Sequence, residues 1–436
     1  MSRARGAVVG LAVGLVLIVA AMAVPAATGW DVHVRWFPPL HAFWDPRVGP
    51  GTLPALVVGA LLVRFSVDLA ERLSWGRLLV AAYAAGLAWM LSLALVDGPG
   101  GIGRVLATPY EYLQTARDTS DFSATLHEYI ARIPYAAAPD NWPVHIAGHP
   151  PGALGFFVVL VRVGLGGWFA AGLVVTLLAA STAVAVLVTL RLLGAEHHAR
   201  AAAPFLVAGP AAIWQCVSAD AMFAAVGAWG IAALAAAATS TRRGRMVGWS
   251  VVAGLLLGYV VMLSYGLPLL AILAIAVLVA ARNARPLVPT ALAAVAVVGA
   301  FAAAGFAWWE ALPVLRQRYW DGVASNRPAS YWMWGNLAAL LVSAGPLAAA
   351  GVGQLVASVR ERGHRVVTLL AGAGVAMVLA ADASQMSRAE VERIWLPFVP
   401  WVLVATALLP EGWRRRGLVL QVVFAIVVQH LLHPDW

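Results

Sequence analysis

Residues 150–193 read PPGALGFFVVLVRVGLGGWFAAGLVVTLLAASTAVAVLVTLRLL, and the number of bilayer crossings given to this stretch sets the topology around it. Residues 150–167 are short for a span, are interrupted by Arg162 and close on the turn signal GLGG, whereas residues 168–193 run apolar without a break. The first part is therefore expected to lie in the membrane interface, with its helix started by the prolines where a missing N–H costs nothing. The second part is expected to cross.

Working outward, the same apolar character fills the chain. Of its 436 residues 62% are hydrophobic and 11% charged, far outside the composition of a soluble domain, so the fold expected is an all-α polytopic membrane protein. All 29 basic residues are arginine. Fifteen of them sit in the clusters ERLSWGR, RLLGAEHHAR, STRRGR, RNAR, RERGHR and WRRRG, between apolar runs, as cytoplasmic loops should. The net charge of +9 is thus explained by positive-inside topology, and a nucleic-acid partner is rejected. Residues 7–28 resemble a secretory signal in character but are too long and lack a clear cleavage site, so they read as a retained first span. The lone Cys216 reads as a small apolar filler.

These assignments give about thirteen transmembrane helices plus the interfacial helix, N-terminus cytoplasmic and C-terminus external. Residues 1–96 hold the first spans, 97–167 an external loop with the interfacial helix, and 168–436 the remaining spans. Residues 29–51, 218–220, 264–266, 310–336 and 382–393 are further external segments. The acids, which did not enter the assignment, agree with it: 15 of 20 fall in external segments. Asp68, inside the second span, is four residues from Arg64 and is expected to pair with it.

Long external loops usually carry function. Residues 108–135, TPYEYLQTARDTSDFSATLHEYIARIPY, offer Glu111, Asp118, Asp121 and Glu128 on short surface helices. Residues 310–336, EALPVLRQRYWDGVASNRPASYWMWGN, set Arg316, Arg318 and Arg327 among aromatic residues. The tryptophans read first as interfacial anchors. The arginines run against the positive-inside bias, and guanidinium forks match phosphate oxygens. In SQMSRAEVERIWLPF, residues 384–398, Glu392 and Arg393 precede a span, and Asp220 in SADAMF reads equally as a site acid or a helix cap. The first loop adds Asp31, His33, His41 and Asp45. No histidine pair there has the spacing of a helical zinc site, so no structural metal is expected; a divalent cation held between carboxylates and phosphate stays open.

The segments HPPG, RLLG, HHARAAAPF and GPAAIWQCVSADAMF, spread from about Tyr110 to Ala238, resemble the GT-C superfamily of membrane glycosyltransferases, and NRPASYWMWGN and AEVERIWLPFVPW resemble its actinobacterial members. The resemblance implies a polyprenyl-phosphate sugar donor, an envelope glycan or glycolipid acceptor, and chemistry on the external face of the plasma membrane, with methylthioxylose transfer to lipoarabinomannan as the specific activity it suggests. It also implies an acidic general base in an early external loop. Where relatives carry an Asp-Glu pair this chain has PYEYL, so Glu111 stands alone, with Asp121 and Asp31 as the other candidates. His149 matches the family histidine and Asp220 an aspartate ending a later span. One carboxylate suffices because a departing phosphate needs no separate acid, while positive charge must stabilise it; Arg316, Arg318, Arg327, Glu392 and Arg393 are the residues expected there. The alternative is a transporter or flippase of envelope precursors, which would favour internal repeats and broken helices at mid-membrane. A non-catalytic scaffold is a third reading.

Overall fold

A computed structural model describes residues 4–34 and 36–434, the side chain of Arg362 excepted. Apolar runs bounded by Gly, Pro and Arg form helices because in hydrocarbon every backbone N–H and C=O must be paired within its own segment. The chain runs through α1 (Arg5–Thr28), strand β1 (Ala42–Trp44), α2 (Thr52–Arg72) and α3 (Trp75–Ala94). A region of short helices follows: α4 (Tyr112–Asp118), α5 (Phe122–Glu128), α6 (Val144–Ala147) and α7 (Pro151–Arg162). Next come α8 (Trp168–Leu192), α9 (Glu196–Val207), α10 (Ala212–Gln215), α11 (Ala219–Thr239), α12 (Arg243–Val261), α13 (Leu270–Ala281) and α14 (Leu287–Ala303). The last part holds α15 (Trp308–Asp321), α16 (Ala329–Ala344), α17 (Pro346–Ser358), α18 (Arg365–Ala383), α19 (Val391–Ile394), α20 (Val399–Leu403), α21 (Glu411–Leu431) and strand β2 (Leu432–Pro434).

The protein is a largely helical, polytopic membrane protein. Among the described residues seven helices, α1, α2, α3, α8, α11, α12 and α18, are long and apolar enough to cross, and the count reaches nine if the bent pairs α14–α15 (74°) and α16–α17 (108°) are each one span. This corrects the expectation of about thirteen transmembrane helices. The shortfall has physical causes: α9 and α13 are 12 residues each, about 18 Å at 1.5 Å per residue, and α21 carries Glu411 and three arginines in its first turns. Helix α7 is 12 residues with Pro151 in its first turn, so residues 150–167 do contain a short helix, again too short to cross.

Connecting segments gather at two ends. At one end β1 pairs antiparallel with β2, Ala42 opposite Pro434 and Trp44 opposite Leu432, which ties the segment after α1 to the segment after α21. At the other end Arg200 donates to the carbonyls of Ala70 and Leu73 at 2.8 and 2.9 Å. There Arg414 lies 2.9 Å from Glu71 and Arg415 2.5 Å from Asp68. Arg64 also lies 3.7 Å from Asp68, so the expected pair is present with Arg415 added. Arg365 reaches the Val279 carbonyl at 2.7 Å and Asn283 the Ala238 carbonyl at 2.8 Å. The arginine-rich turns that the sequence places on a common side thus meet one another.

Two features fix the packing of α16 and α17. A Cβ on Gly10 of α1 would stand 2.2 Å from the Ala349 carbonyl, so glycine is what lets α1 and α17 approach backbone to backbone. At the break between α16 and α17, Gln421 of α21 donates to the Ala344 carbonyl at 2.6 Å and accepts from Leu347 N–H at 3.2 Å. One buried side chain thereby satisfies two backbone groups that the break strands in the bilayer.

Candidate functional site

The end of the molecule opposite the arginine turns holds a buried polar network drawn from five separate segments. Glu111 is the residue before α4 and is 2% exposed. His145, in the short helix α6, donates from Nδ1 to Glu111 Oε1 at 2.6 Å. Arg393 Nη2 stands 3.5 Å from the other ring nitrogen of His145, and Arg393 Nη1 binds Asp220 Oδ2 at 2.7 Å. Glu390 bridges two guanidiniums, with Oε2 3.5 Å from Arg393 Nη2 and Oε1 3.5 Å from Arg327 Nη2. Arg327 Nη2 also donates to His41 Nε2 at 2.6 Å. The network therefore runs His41, Arg327, Glu390, Arg393, and from there to Asp220 and to His145 and Glu111.

Local structure explains why these side chains meet. Ala389 and Glu390 both adopt left-handed backbone (φ 76° and 65°), which non-glycine residues enter at a cost. They are held there by Asn336 of α16, which accepts from Ala389 N–H at 3.1 Å and donates to Asp382 and to the Ser387 carbonyl, both at 2.8 Å. Arg327 and Arg388 each donate to the other's carbonyl, at 2.5 and 2.6 Å, locking residues 384–393 onto the segment before α16. On the opposite wall, Tyr129 donates to the carbonyls of Ile146 and His149 at 2.9 and 3.0 Å and fixes the turn into α7. His149 is partly buried in that turn, its Nδ1 2.9 Å from Tyr112 OH and 2.7 Å from the His145 carbonyl.

Burial and charge oppose each other throughout. For Glu111, burial disfavours the carboxylate, but His145 and then Arg393 outweigh it and hold the pKa below its usual value. Glu390 behaves alike: burial is overcome by Arg327, Arg393 and His41, and its pKa is lowered. Burial works against the Arg393 charge, yet Asp220, Glu111 and Glu390 raise its pKa, so it stays a cation. His149 is pushed down, chiefly by burial and against the pull of Asp220. One atom stands out. Glu111 Oε2 is buried with no hydrogen-bond partner among the described residues, so the carboxylate has one oxygen fixed and one unengaged.

Of the residues expected in the site, Glu111, Asp220, Arg327 and Arg393 meet in the network, and His149 flanks it. Glu392 is buried in α19 beside it. The others lie elsewhere. Asp121 is exposed and caps α5, accepting from Ser123 N–H and Ala124 N–H at 2.8 and 3.2 Å. Asp31 is exposed and turns back on His33 N–H at 2.8 Å. Arg316 is exposed on α15. Arg318 is buried and spent on the carbonyls of Ile133 and Trp142, clamping α15 to residues 133–142. The aromatic residues of 329–336 are not a surface belt: Tyr331 and Trp332 are wholly buried, bonded to the carbonyls of Ala21 and Val32 at 2.8 and 3.1 Å. His145, His41 and Glu390 are the members that sequence reasoning did not select. His145 sits four residues before His149, but nothing in that spacing announces a partner 34 residues upstream.

Among the described residues no group of three or more His, Cys, Asp or Glu is placed to hold a metal ion. Neither a groove of about 330 Å³ among α2, α3 and α9 nor one of about 490 Å³ beside the start of α21 is lined by network residues. No protein-family model, curated protein or solved structure matches the chain.

Proposed function

We propose that this chain is a membrane glycosyltransferase that moves a sugar from a polyprenyl-phosphate donor to an envelope glycan or glycolipid, with Glu111 as general base. The observation that carries the reading is the meeting, in one buried network, of a carboxylate with an unengaged oxygen and the guanidiniums of Arg327 and Arg393. Glu111 Oε2 takes the proton of the acceptor hydroxyl as that oxygen bonds to the anomeric carbon. The bond from that carbon to the phosphate oxygen breaks, and the phosphate leaves with the electron pair, needing no separate acid. The Nη2 atoms of Arg327 and Arg393 converge where Glu390 now stands 3.5 Å from each, a loose contact that a phosphate oxygen would replace with shorter, charge-assisted bonds. His145 holds the base in place.

The reading includes a cytoplasmic N-terminus and the network on the external face. It is supported by the two-ended grouping of the loops, since segments of like parity contact one another and β1 and β2 join the first loop to the chain end. Methylthioxylose transfer to lipoarabinomannan is the particular reaction the sequence resemblance suggests. The test uses the full chain in membranes supplied with labelled polyprenyl-phosphate sugars and envelope glycolipids. Glu111→Gln is expected to lower transfer by about 10²- to 10⁴-fold with normal insertion, while Asp121→Asn leaves it near the starting rate. Full transfer by Glu111→Gln would sink the assignment of the base. Movement of intact precursors across the bilayer without donor cleavage would replace the enzyme with a flippase.

A further inference from the structure

We infer a second binding site, for an anionic phospholipid, in the groove that α21 forms with α1 and α17 at the arginine-rich end, independent of the proposed glycosyl transfer. The groove holds about 490 Å³, and its walls include Leu11 of α1, Leu347 of α17, and Trp413, Arg416, Gly417 and Leu420 of α21. That volume lies in the range of small-ligand sites.

The argument begins from WRRRG, residues 413–417, where three consecutive guanidiniums are sent in different directions by the helical turn. Arg414 and Arg415 reach Glu71 and Asp68 of α2, at 2.9 and 2.5 Å. Arg416 leaves on another side, is exposed, and lines the groove with no acid or carbonyl partner among the described residues. Trp413 is three residues away on the same face, and Leu420 lies one turn deeper. From Gly412 to Leu420 the groove descends about 12 Å along the helix. It passes from the charged first turn to Leu347, at the level of the α16–α17 break that Gln421 pins.

A cation at the mouth, an indole beside it and hydrocarbon walls below match one occupant by charge and polarity. The phosphate of an anionic phospholipid meets Arg416, Trp413 sits at headgroup depth, and a chain runs past Leu420, Leu347 and Leu11. Free phosphate would leave the apolar walls unused. A zwitterionic lipid would bring an ammonium group to an end of the molecule already crowded with arginine. An occupant in this position bridges α1, α17 and α21, so its binding should raise the melting temperature.

The test takes the full chain, delipidated in detergent, and adds phosphatidylglycerol, phosphatidylcholine, polyprenyl phosphate or inorganic phosphate, reading retained lipid by native mass spectrometry and the change in Tm. Phosphatidylglycerol is expected to bind saturably and raise Tm more than the other three. Arg416→Gln should weaken its retention by about fivefold, the worth of one arginine near an anionic surface. Leu420→Trp, which fills the apolar floor, should weaken it as well, both variants melting like the parent without lipid. Equal retention by Arg416→Gln, or parity with phosphatidylcholine, would overturn the site. A preference for polyprenyl phosphate would reassign the groove to the donor, and full competition by inorganic phosphate would reduce it to a simple anion site.

Discussion

The carboxyl of Glu111 is held between opposing influences: burial favours its neutral form, and His145 at 2.6 Å with Arg393 nearby favours the carboxylate and wins. A base so poised remains ionised well into acid. With Glu111 as the proposed base, the proposed transfer should therefore stay level down the pH scale and fall only below the ordinary glutamate value of about 4.3. Removing the imidazole takes away the largest influence opposing burial, with Arg393 left, so His145→Ala is expected to move that acidic limb of the rate–pH profile upward; an unmoved limb would show that His145 does not set the ionisation of Glu111. The same lowered pKa values bear on stability. Because Glu111 and Glu390 are both held below their unfolded values, their contribution is fully present above about pH 4.3 and is lost as pH falls through the lower folded values. Arg393 is a different case, since its removal strands the carboxylate of Asp220, 2% exposed, without its cation. Arg393→Ala should cost about 3–5 kcal/mol in thermal denaturation in nanodiscs, the usual result of breaking a buried pair. Asp121→Ala should cost about 1 kcal/mol as a lost helix cap.

Helix length and helix breaks determine how this chain meets a bilayer. The sequence's hydropathy marks the seven long helices clearly, because a run of apolar residues near the hydrocarbon thickness has few other uses. It does not mark where a span is split, since the partner that satisfies a break lies on another helix. Gln421 is such a partner for the α16–α17 break, and Gln421→Leu should destabilise the protein by about 1–3 kcal/mol for each backbone group left bare, measured as a lower Tm. Close approach of α1 and α17 gives a second element-level expectation. Gly10→Val places methyl groups where the Ala349 carbonyl already stands and should cost about 1–3 kcal/mol or more, whereas Gly76→Ala, with nothing within 4 Å of its added carbon, should be nearly silent. The region 310–336 shows the limit of reading loops by composition. Its aromatics look like a belt, but α16 begins at Ala329 and takes Tyr331 and Trp332 into the interior.

Over the whole molecule, the sidedness of the loops admits a direct check. In a Cys216→Ala background, single cysteines at Trp44, Asp121 and His433, all exposed, should react with an impermeant thiol reagent from one side of the membrane, and cysteines at Arg242 and Gly412 from the other. Reaction of Asp121→Cys and Arg242→Cys from the same side would dismantle both the topology and the site built on it. The sequence by itself determined that this is a polytopic helical membrane protein, and it named Glu111, Asp220, Arg327 and Arg393, because burial in hydrocarbon filters composition strongly and leaves ionisable residues conspicuous. Only the tertiary structure decided which of those charges meet, that His145, His41 and Glu390 complete the network, and that Asp121 and Arg318 serve caps and clamps. The reason is physical: an ion pair in the interior is chosen by a few ångströms of geometry between segments far apart in the chain, 173 residues for Arg393 and Asp220, and local sequence spacing carries no record of that distance.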